Sequence, residues 1–493
     1  MEASNVFIFK MEDPSYPTIP PFHPSKLYPE YQFKEISNEK NKVYNAFRKM
    51  LYFMGLDKEN WDKKNWNPLK QIISPGDNVL IKPNLVIDNL KNQDAITTHT
   101  SLIRAIIDYV LIALKGKGKI TIGDAPLQKC DFKILINNNN LVELVDYFKS
   151  KSVDIDLIDF RRERMIVRRD KITKSLRSFN VLKLNGDPRG YKIINLKGKS
   201  NLHEISYNNG YKKFRVTNYD PKMMKKAHNN TDHKYIISNS VIQADVMINI
   251  AKIKAHRKAG FTGCLKNFVG INGSKDWLPH HQLGSIFEGG DEYHYKNLLK
   301  KIYNKLNEIE DLLLIKYPKI HNFLYYPTFY IKALVLKISS KISKDNYLEG
   351  SWYGNDTLWR TIADLNQIII YTNKKGRVTN ESQRKRLFIC DGVYSGQSEG
   401  PLEPIPIKSG LIMGGFDPLM VDLSIAELMN LNYKKIPQLY KLFGLKNYPI
   451  SKYKPRDLLL LSNNKNWNKK RINELTETLT FIPSSGWKNN IKK

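Results

Sequence analysis

The stretch from 245 to 273 concentrates the side chains whose types and spacing could do chemistry. His256 and Lys266 are ten residues apart, and Gly260 and Gly263 lie between them. A histidine can take and return a proton near neutral pH, and a lysine beside a helix N-terminus can stabilise a carboxylate, phosphate or enolate. Glycine lets the backbone approach a ligand closely. The spacing therefore predicts acid–base chemistry at His256 and anion or cofactor binding at Lys266, with both glycines in the binding loop.

An alternating apolar run precedes this stretch and predicts the strand that positions it. Val246, Ile248 and Ile250 follow the period of a buried strand. We interpret the basic, glycine-spaced residues that follow as a loop leading to a helix N-terminus, an arrangement with which α/β proteins bind anions and nucleotides. Lys254 and Asn267 belong to the same segment and are further candidate ligands.

Polar residues also follow three other predicted strands. Lys82 and Asn84 end an early strand, Asp124 ends the next one, and Asp391 follows a strand at 386–390. In parallel sheets, ligand sites lie beyond the carboxyl ends of the strands. We therefore count these four residues as candidate cofactor-binding groups. The alternative for the two aspartates is a turn-forming role.

The order of the predicted elements favours an α/β protein. Helical and strand-like segments alternate over 78–159 and again over 351–415, which implies mostly parallel sheets flanked by helices. We expect two lobes with the active site between them, and an extended, proline-rich arm over 1–40. The predicted units are an N-terminal arm and helix (1–74), a first α/β unit (75–160), a polar β insertion (161–235), the site segment with its loop (236–294), a helical insertion (295–350), a second α/β unit (351–463) and a basic tail (464–493).

Charge restricts the classes of partner. The chain has 493 residues and a formal net charge of +31, but its lysines are spread over the whole length. The densest basic run, 161–171, is diluted by Glu163 and Asp170 and lacks the interleaved aromatic residues of a single-strand binding platform. We therefore expect a small anionic substrate rather than a specific nucleic acid.

Cysteine usage and hydropathy bear on the compartment. Cys130, Cys264 and Cys390 are far apart and form no C-x-x-C pair, so we expect no disulfide framework, no iron–sulfur cluster and a reducing, cytoplasmic setting. The N-terminus lacks the apolar core of a secretory signal. The apolar segment 323–340 is interrupted by Pro327 and by lysines and falls short of a spanning helix. It is either a buried helix or an amphipathic helix in peripheral contact with an anionic membrane surface.

Several short motifs mark strand ends and turns in a characteristic order. They are Lys82-Pro83-Asn84, Gly123-Asp124-Ala125-Pro126, the run 244–249, the run 252–256, the run 263–267, Asp391-Gly392, Glu399-Gly400-Pro401 and Asp417-Pro418. This order resembles the bacterial and archaeal domain-of-unknown-function family 362 over about residues 75–435. Some members of that family are fused to ferredoxin-like cluster modules, but this chain lacks the cysteines that such a module needs.

The segment from His256 to Lys266 is also similar to a segment of the lactate racemase family. In that family a histidine is followed by Ala-Gly-aromatic-Ser-Gly and by a lysine ten residues on. The resemblance implies a lactate-racemase-like fold, with Lys266 anchoring a nickel pincer nucleotide and His256 acting as the proton-transfer base. It also implies that His280 or His281 ligates nickel, or another divalent metal, and that His99 is the opposing histidine.

These features predict an enzyme of proton or hydride transfer, with an isomerase-, epimerase- or racemase-like reaction on a small anionic or polyhydroxylated substrate. One alternative is a nucleotide- or phosphate-binding accessory module in surface-polysaccharide synthesis, and another is a basic protein associated with nucleic acid. The enzyme hypothesis requires His256 and Lys266 to line one cleft. At least one of the other candidate histidines, His99, His280 and His281, must lie there too.

Overall fold

The strands of this protein were located in a computed structural model that describes residues 3–88, 91–169, 176–216, 220–343 and 345–493. The strands are β1 Asn5–Lys10, β2 Asn78–Pro83, β3 Lys119–Asp124, β4 Ile155–Asp159, β5 Glu163–Arg169, β6 Leu176–Lys183, β7 Tyr191–Asn195, β8 Phe214–Arg215, β9 Lys234–Ser238, β10 Val246–His256, β11 Gly260–Thr262, β12 His281–Gln282, β13 Lys385–Glu399, β14 Glu403–Ile407, β15 Leu411–Gly415 and β16 Leu459–Ser462.

Helices separate many of these strands. They are α1 Lys42–Phe53, α2 Gln93–Ile96, α3 Thr100–Leu114, α4 Phe132–Asn138, α5 Leu141–Ser150, α6 Pro221–Ala227, α7 Asn239–Ile242, α8 Cys264–Asn267, α9 Leu298–Lys316, α10 Pro318–Ile342, α11 Leu358–Tyr371, α12 Pro418–Leu428 and α13 Pro437–Phe443.

One ten-stranded sheet forms the centre of the molecule. Its main path runs β16-β1-β15-β13-β10-β2-β3-β4, while β11 and β14 pair with the ends of β10 and β13. The five strands from β13 to β4 are parallel, and β15 runs antiparallel to both of its neighbours. The predicted α/β class with a mostly parallel sheet is confirmed. The strands of both predicted α/β units belong to this same sheet.

The central strand β10 is buried along its whole length because helices cover both faces of the sheet. Ile248 and Ile250 pack into a core with α1, α3 and α5, whereas Met247, Ala251 and Ile253 pack into a core with α11, α12 and α13. Such two-sided burial is typical of parallel strands. It explains why apolar residues stand at both odd and even positions of this strand.

Strand β10 continues further than the sequence predicts. The cationic segment that we interpreted as a loop after Ile250 is strand as far as His256, and it then turns into β11. Lysine side chains are usually exposed, on a surface or in a loop. The sequence pattern at Lys252 and Lys254 therefore indicates a loop, although both residues lie in the strand. Likewise, the strand predicted at 386–390 does not end before Asp391 but continues as β13 to Glu399.

Both termini differ from the predicted arm and tail. Within the predicted arm, β1 lies inside the sheet between β15 and β16, because Val6 and Ile8 are apolar and buried. In the predicted basic tail, Trp467 and Trp487 are buried against the body. The ends of the described chain therefore complete the core.

The predicted helical insertion forms a hairpin of α9 and α10. Of the two alternatives for 323–340, a buried helix is wrong, because among the described side chains of α10 only His321 and Ser339 are buried. Within the described residues, no helix is both long and apolar enough to cross a membrane.

Candidate functional site

A pocket of about 320 Å³ lies at the carboxyl ends of β2, β3 and β10. Its walls come from segments that are distant in sequence but converge where these parallel strands end. Seven of the residues that the sequence predicts as site residues line it: Asn84, Asp124, Lys254, His256, Lys266, Asn267 and His280.

Lys254 and His256 reach the pocket because they occupy alternate positions on β10. Side chains two residues apart point to the same face of a strand. The hairpin with β11 pairs Lys254 with Thr262 and His256 with Gly260. Gly260 has a φ of +85°, which favours glycine at this tight turn.

The two predicted glycines support the site from outside and do not line the pocket. A Cβ at Gly263 would come within 2.3 Å of Asp422 Oδ1. Asp422 accepts hydrogen bonds from the backbone N–H groups of Cys264, at 2.6 Å, and Leu265, at 3.0 Å. The start of α8, which we expected to bind the anion, is therefore already occupied by a carboxylate of the same chain.

Lysines dominate the charge of the pocket. Lys254, Lys258, Lys266 and Lys275 all line it, and so does Arg257. Lys254 donates to the carbonyl of Ile96, and Lys275 lies 3.4 Å from the carbonyl of Val269. Within the described residues, the Lys266 ammonium has neither a hydrogen-bond acceptor nor an ion-pair partner. Lys258 lies 3.7 Å from the carboxylate of Glu349, which also lines the pocket. The four lysines and Arg257 thus outnumber the two carboxylates of the lining, Asp124 and Glu349.

Burial makes these lysines weaker bases than lysines in water. Burial, opposed by Asp124 and reinforced by Lys82 and Lys258, lowers the pKa of Lys266 to about 8. Burial lowers the pKa of Lys275 to about 7. The pKa of Lys254 is driven well below its usual value by burial and then by Lys266 and Lys252. An anion bound in the pocket would supply a counter-charge and so raise the pKa values of these lysines again.

Asp124 positions the wall of the pocket. Its Oδ1 lies 2.8 Å from Lys82 Nζ, and it accepts hydrogen bonds from the backbone N–H groups of Leu85 and Ala125, each at 2.7 Å. Lys82 is fully buried and lies behind the lining. Both predicted residues therefore form a compensated pair rather than a ligand site.

Asn84 and Asn267 connect this pair to the pocket. Asn84 Nδ2 donates to Asn267 Oδ1 at 3.1 Å, and the same oxygen lies 3.2 Å from Lys82 Nζ. The Asn84 Oδ1 atom is buried and has no partner in the part of the chain that the structure describes. It is the acceptor that a hydroxyl or amine of a ligand could satisfy.

Two histidines of the pocket are fixed in complementary tautomers. His256 Nδ1 accepts from the backbone N–H groups of Lys258, at 3.1 Å, and Ala259, at 3.2 Å, so the neutral ring carries its proton on Nε2. His280 Nδ1 is 2.7 Å from the carbonyl of Leu278 and must donate to it, which leaves Nε2 as an acceptor. Burial, then Lys266, lowers the pKa of His256 well below its usual value, and burial, then Lys258, does so for His280. The pocket thus contains one neutral donor and one neutral acceptor.

His99 and Asp391 do not line the pocket, so the structure does not bring these two predicted residues together with His256. His99 caps the N-terminus of α3, and its ring stacks on Tyr16 with centroids 3.9 Å apart. Its backbone N–H donates to Asp391 at 2.9 Å, and Asp391 is paired with Lys252 at 3.2 Å. These residues form a fully compensated buried cluster instead.

The predicted metal ligands are separated. His280 lines the pocket, whereas His281 is buried on β12 outside it, with no partner for its Nδ1 atom among the described residues. In the part of the chain described by the structure, no group of three or more His, Cys, Asp or Glu side chains is arranged to hold a metal ion. A metal held by protein side chains alone therefore finds no ligand set there.

Sequence reasoning missed two features of the site. The first is Lys275, which lies in a polar segment whose sequence pattern does not indicate a site residue. The folded chain places it in the lining of the same pocket as Lys266. The second feature is the apolar part of the pocket lining. Its residues were missed because single apolar residues in loops do not indicate a ligand surface. This part of the lining is formed by Leu85, Val86, Leu127, Met165, Val216 and Leu402.

The fold is that of an α/β protein with a lysine-lined pocket at its strand ends. A family model described as "Domain of unknown function (DUF362)" matches residues 79–184 and 197–427. The match covers well over half of the chain, so the chain belongs to the DUF362 family.

Other comparisons add little. No curated protein matches the chain. A crystal structure of a Thermotoga maritima protein aligns with a TM-score of 0.30 at 9% identity, over 77% of this chain and 58% of that one. This chain thus spans less than two thirds of that protein, and no argument is drawn from the likeness.

Proposed function

We propose that this DUF362 protein is an enzyme that moves a proton on a small organic anion, in an isomerase-, epimerase- or racemase-like reaction. The observation that carries the proposal is the pairing of two neutral histidines of opposite tautomer with buried lysines in one pocket. An acid and a base that face the same substrate, with cations beside them, are the groups that proton abstraction next to a carboxylate requires.

The geometry suggests a role for each group. His280 Nε2 takes the proton from a carbon next to the substrate's carboxylate or carbonyl and becomes imidazolium. The electron pair of that C–H bond moves onto the oxygen as an enolate, which Lys266 and Lys275 stabilise. His256 stays neutral and donates a hydrogen bond from Nε2 to that oxygen, while the His280 imidazolium, after its proton has exchanged with water, returns a proton to the carbon and becomes neutral again. Each proton removed is replaced, so no oxidant is needed.

The lining also restricts the substrate. About 320 Å³ accommodates a molecule well below the size of a dinucleotide. The wall formed by Leu85, Leu127, Met165 and Leu402 favours an apolar group opposite the anion. We therefore favour a small carboxylate with an aliphatic or aromatic side chain over a polyhydroxylated substrate.

The nickel pincer nucleotide implied by the lactate racemase resemblance fits the residues in part. Lys266 is unpartnered and has a pKa of about 8, so it could anchor such a group, and His280 could offer one nitrogen ligand. When bound, the group would supply hydride transfer. The acid–base roles of the two histidines do not depend on it.

The test measures exchange of a carbon-bound proton with solvent. A series of 2-hydroxy and 2-amino carboxylates with side chains of one to six carbons is first screened for binding by thermal shift. Binders are then incubated with the enzyme in D₂O, and deuterium incorporation is followed by proton NMR. We expect incorporation with wild type, and a loss of about 10²–10⁴-fold in His256→Asn and His280→Asn.

His294→Asn is the matched control, because His294 is half-buried and does not line the pocket. We expect this variant to retain the wild-type exchange rate. Binders that exchange no proton, with affinities that neither pocket histidine affects, would contradict the enzyme proposal. Tight binding of phosphate monoesters without exchange would favour an accessory binding module instead.

A further inference from the structure

We propose that the exposed face of α10 docks on an anionic lipid bilayer. This surface is distinct from the pocket and does not depend on the proposed activity. The observation behind it is an apolar face on a helix whose other side is already packed against the protein.

The face is continuous along the helix. At about 100° per residue, seven of the nine exposed large apolar side chains of α10 fall within an arc of about 120°, and Tyr326 and Phe329 lie outside it. Folded proteins seldom expose so many large apolar side chains side by side. The seven are Ile320 (49% exposed), Phe323 (82%), Tyr330 (67%), Ile331 (50%), Leu334 (57%), Ile338 (41%) and Ile342 (71%).

The charged residues of α10 indicate what binds to this apolar face. Lys319, Lys337 and Lys341 are exposed on or beside the same arc, and the sequence of α10 contains no Asp or Glu. Lysines near an anionic membrane surface are attracted to its lipid headgroups. A second copy of this chain would bring like charges together, on a protein of net charge +31. The combination of apolar arc and lysines therefore fits an anionic bilayer better than self-association.

The opposite side of the hairpin is held to the body. Lys332 pairs with Glu310 of α9, and Arg215 of β8 pairs with Glu308. At the base of the hairpin, the buried Lys300 pairs with Asp345. These ion pairs fix the orientation of α10, so its apolar face stays outward.

The depth of contact follows from the sequence. Pro327 and the lysines prevent α10 from crossing a bilayer, so the helix lies in the headgroup region with its apolar face toward the acyl chains. Binding should then depend on both apolar burial and anionic lipid.

The experiment is co-sedimentation of the full chain with vesicles of phosphatidylcholine, alone or with about one third phosphatidylglycerol. We expect binding to the anionic vesicles that falls as salt is raised. Phe323→Ser with Leu334→Ser should reduce the bound fraction at least tenfold. Substitution of Lys319, Lys337 and Lys341 by Gln should abolish the preference for anionic lipid.

The control is Leu27→Ser with Ile193→Ser, which removes two exposed apolar side chains (60% and 55%) that do not belong to α10. This control should bind as wild type does, and circular dichroism verifies that every variant is folded. Absence of wild-type binding to anionic vesicles would overturn the proposal. So would a dimer in solution that Phe323→Ser with Leu334→Ser dissociates, because the face would then serve self-association.

Discussion

Lys252 and Lys254 lie two residues apart on β10 and both are buried, but their ammonium groups meet different surroundings. Lys252 donates to the Tyr16 hydroxyl at 2.7 Å and lies 3.2 Å from the Asp391 carboxylate. Lys254 has a backbone carbonyl as its acceptor, and neighbouring lysines depress its pKa further. Lys252 is thus neutralised by a carboxylate within its cluster, whereas Lys254 lines the pocket.

The same contrast runs through the sheet end. Lys82 is compensated by Asp124, whereas Lys266 and Lys275 meet no carboxylate at ion-pair distance among the described residues. An uncompensated buried charge costs several kcal/mol. Both of these lysines line the pocket, where the anionic substrate that we propose would supply the missing counter-charge.

The largest expected effect comes from breaking the compensated cluster. Lys252→Met leaves Asp391 buried without its cation, so we expect a loss of about 3–5 kcal/mol in the free energy of unfolding. Chemical denaturation measures it. Lys254→Met, on the same face of the same strand, should cost far less. An equal loss in both variants would remove the distinction between the two lysines.

A second, smaller effect has the opposite sign. Lys275→Met removes a desolvated cation, so we expect the unliganded protein to gain roughly 1–4 kcal/mol at pH 6. We also expect inorganic phosphate to raise the melting temperature of wild type, and the same change should abolish that rise. A variant that is less stable at pH 6 and still stabilised by phosphate would place Lys275 among the structural lysines.

The smallest effect is a pH dependence of that gain. The pKa of Lys275 is about 7 in the folded protein and 10.5 in the unfolded reference, so between these values the unfolded chain binds more protons. The free energy of unfolding of wild type therefore rises with pH in this window, by at most about 1.4 kcal/mol per unit. The advantage of Lys275→Met should shrink between pH 6.5 and 8.5. Denaturation of both proteins across this range measures the difference, and a constant difference would contradict the lowered pKa.

Much of the fold was predictable because local patterns agree with it. The apolar period of Val246 to Ile250 predicts β10, and the alternation of helical and strand-like segments over 78–159 predicts parallel strands there. The continuation of β10 was not predictable. Its lysines are compatible with a buried strand only through Asp391 and the pocket, which come from distant parts of the chain.

The candidate site was predictable in composition but not in detail. The spacing of His256 and Lys266 indicates one cleft, and the structure brings both to it. The occupation of the α8 N-terminus by Asp422 depends on a contact across 158 residues, which no local pattern reports. The tautomers of the histidines likewise depend on backbone groups positioned by the folded loops.

The place of β1 in the sheet has a consequence for synthesis. Ile8 pairs with Met413 of β15, and Val6 pairs with Leu460 of β16. About 400 residues must be translated before either partner strand exists, which takes about 20–80 s at 5–20 residues per second. Throughout that time, a nascent chain exposes an apolar strand edge near its start. Until β15 and β16 have been synthesised, the unpaired edges of β1 can pair with other chains and promote aggregation.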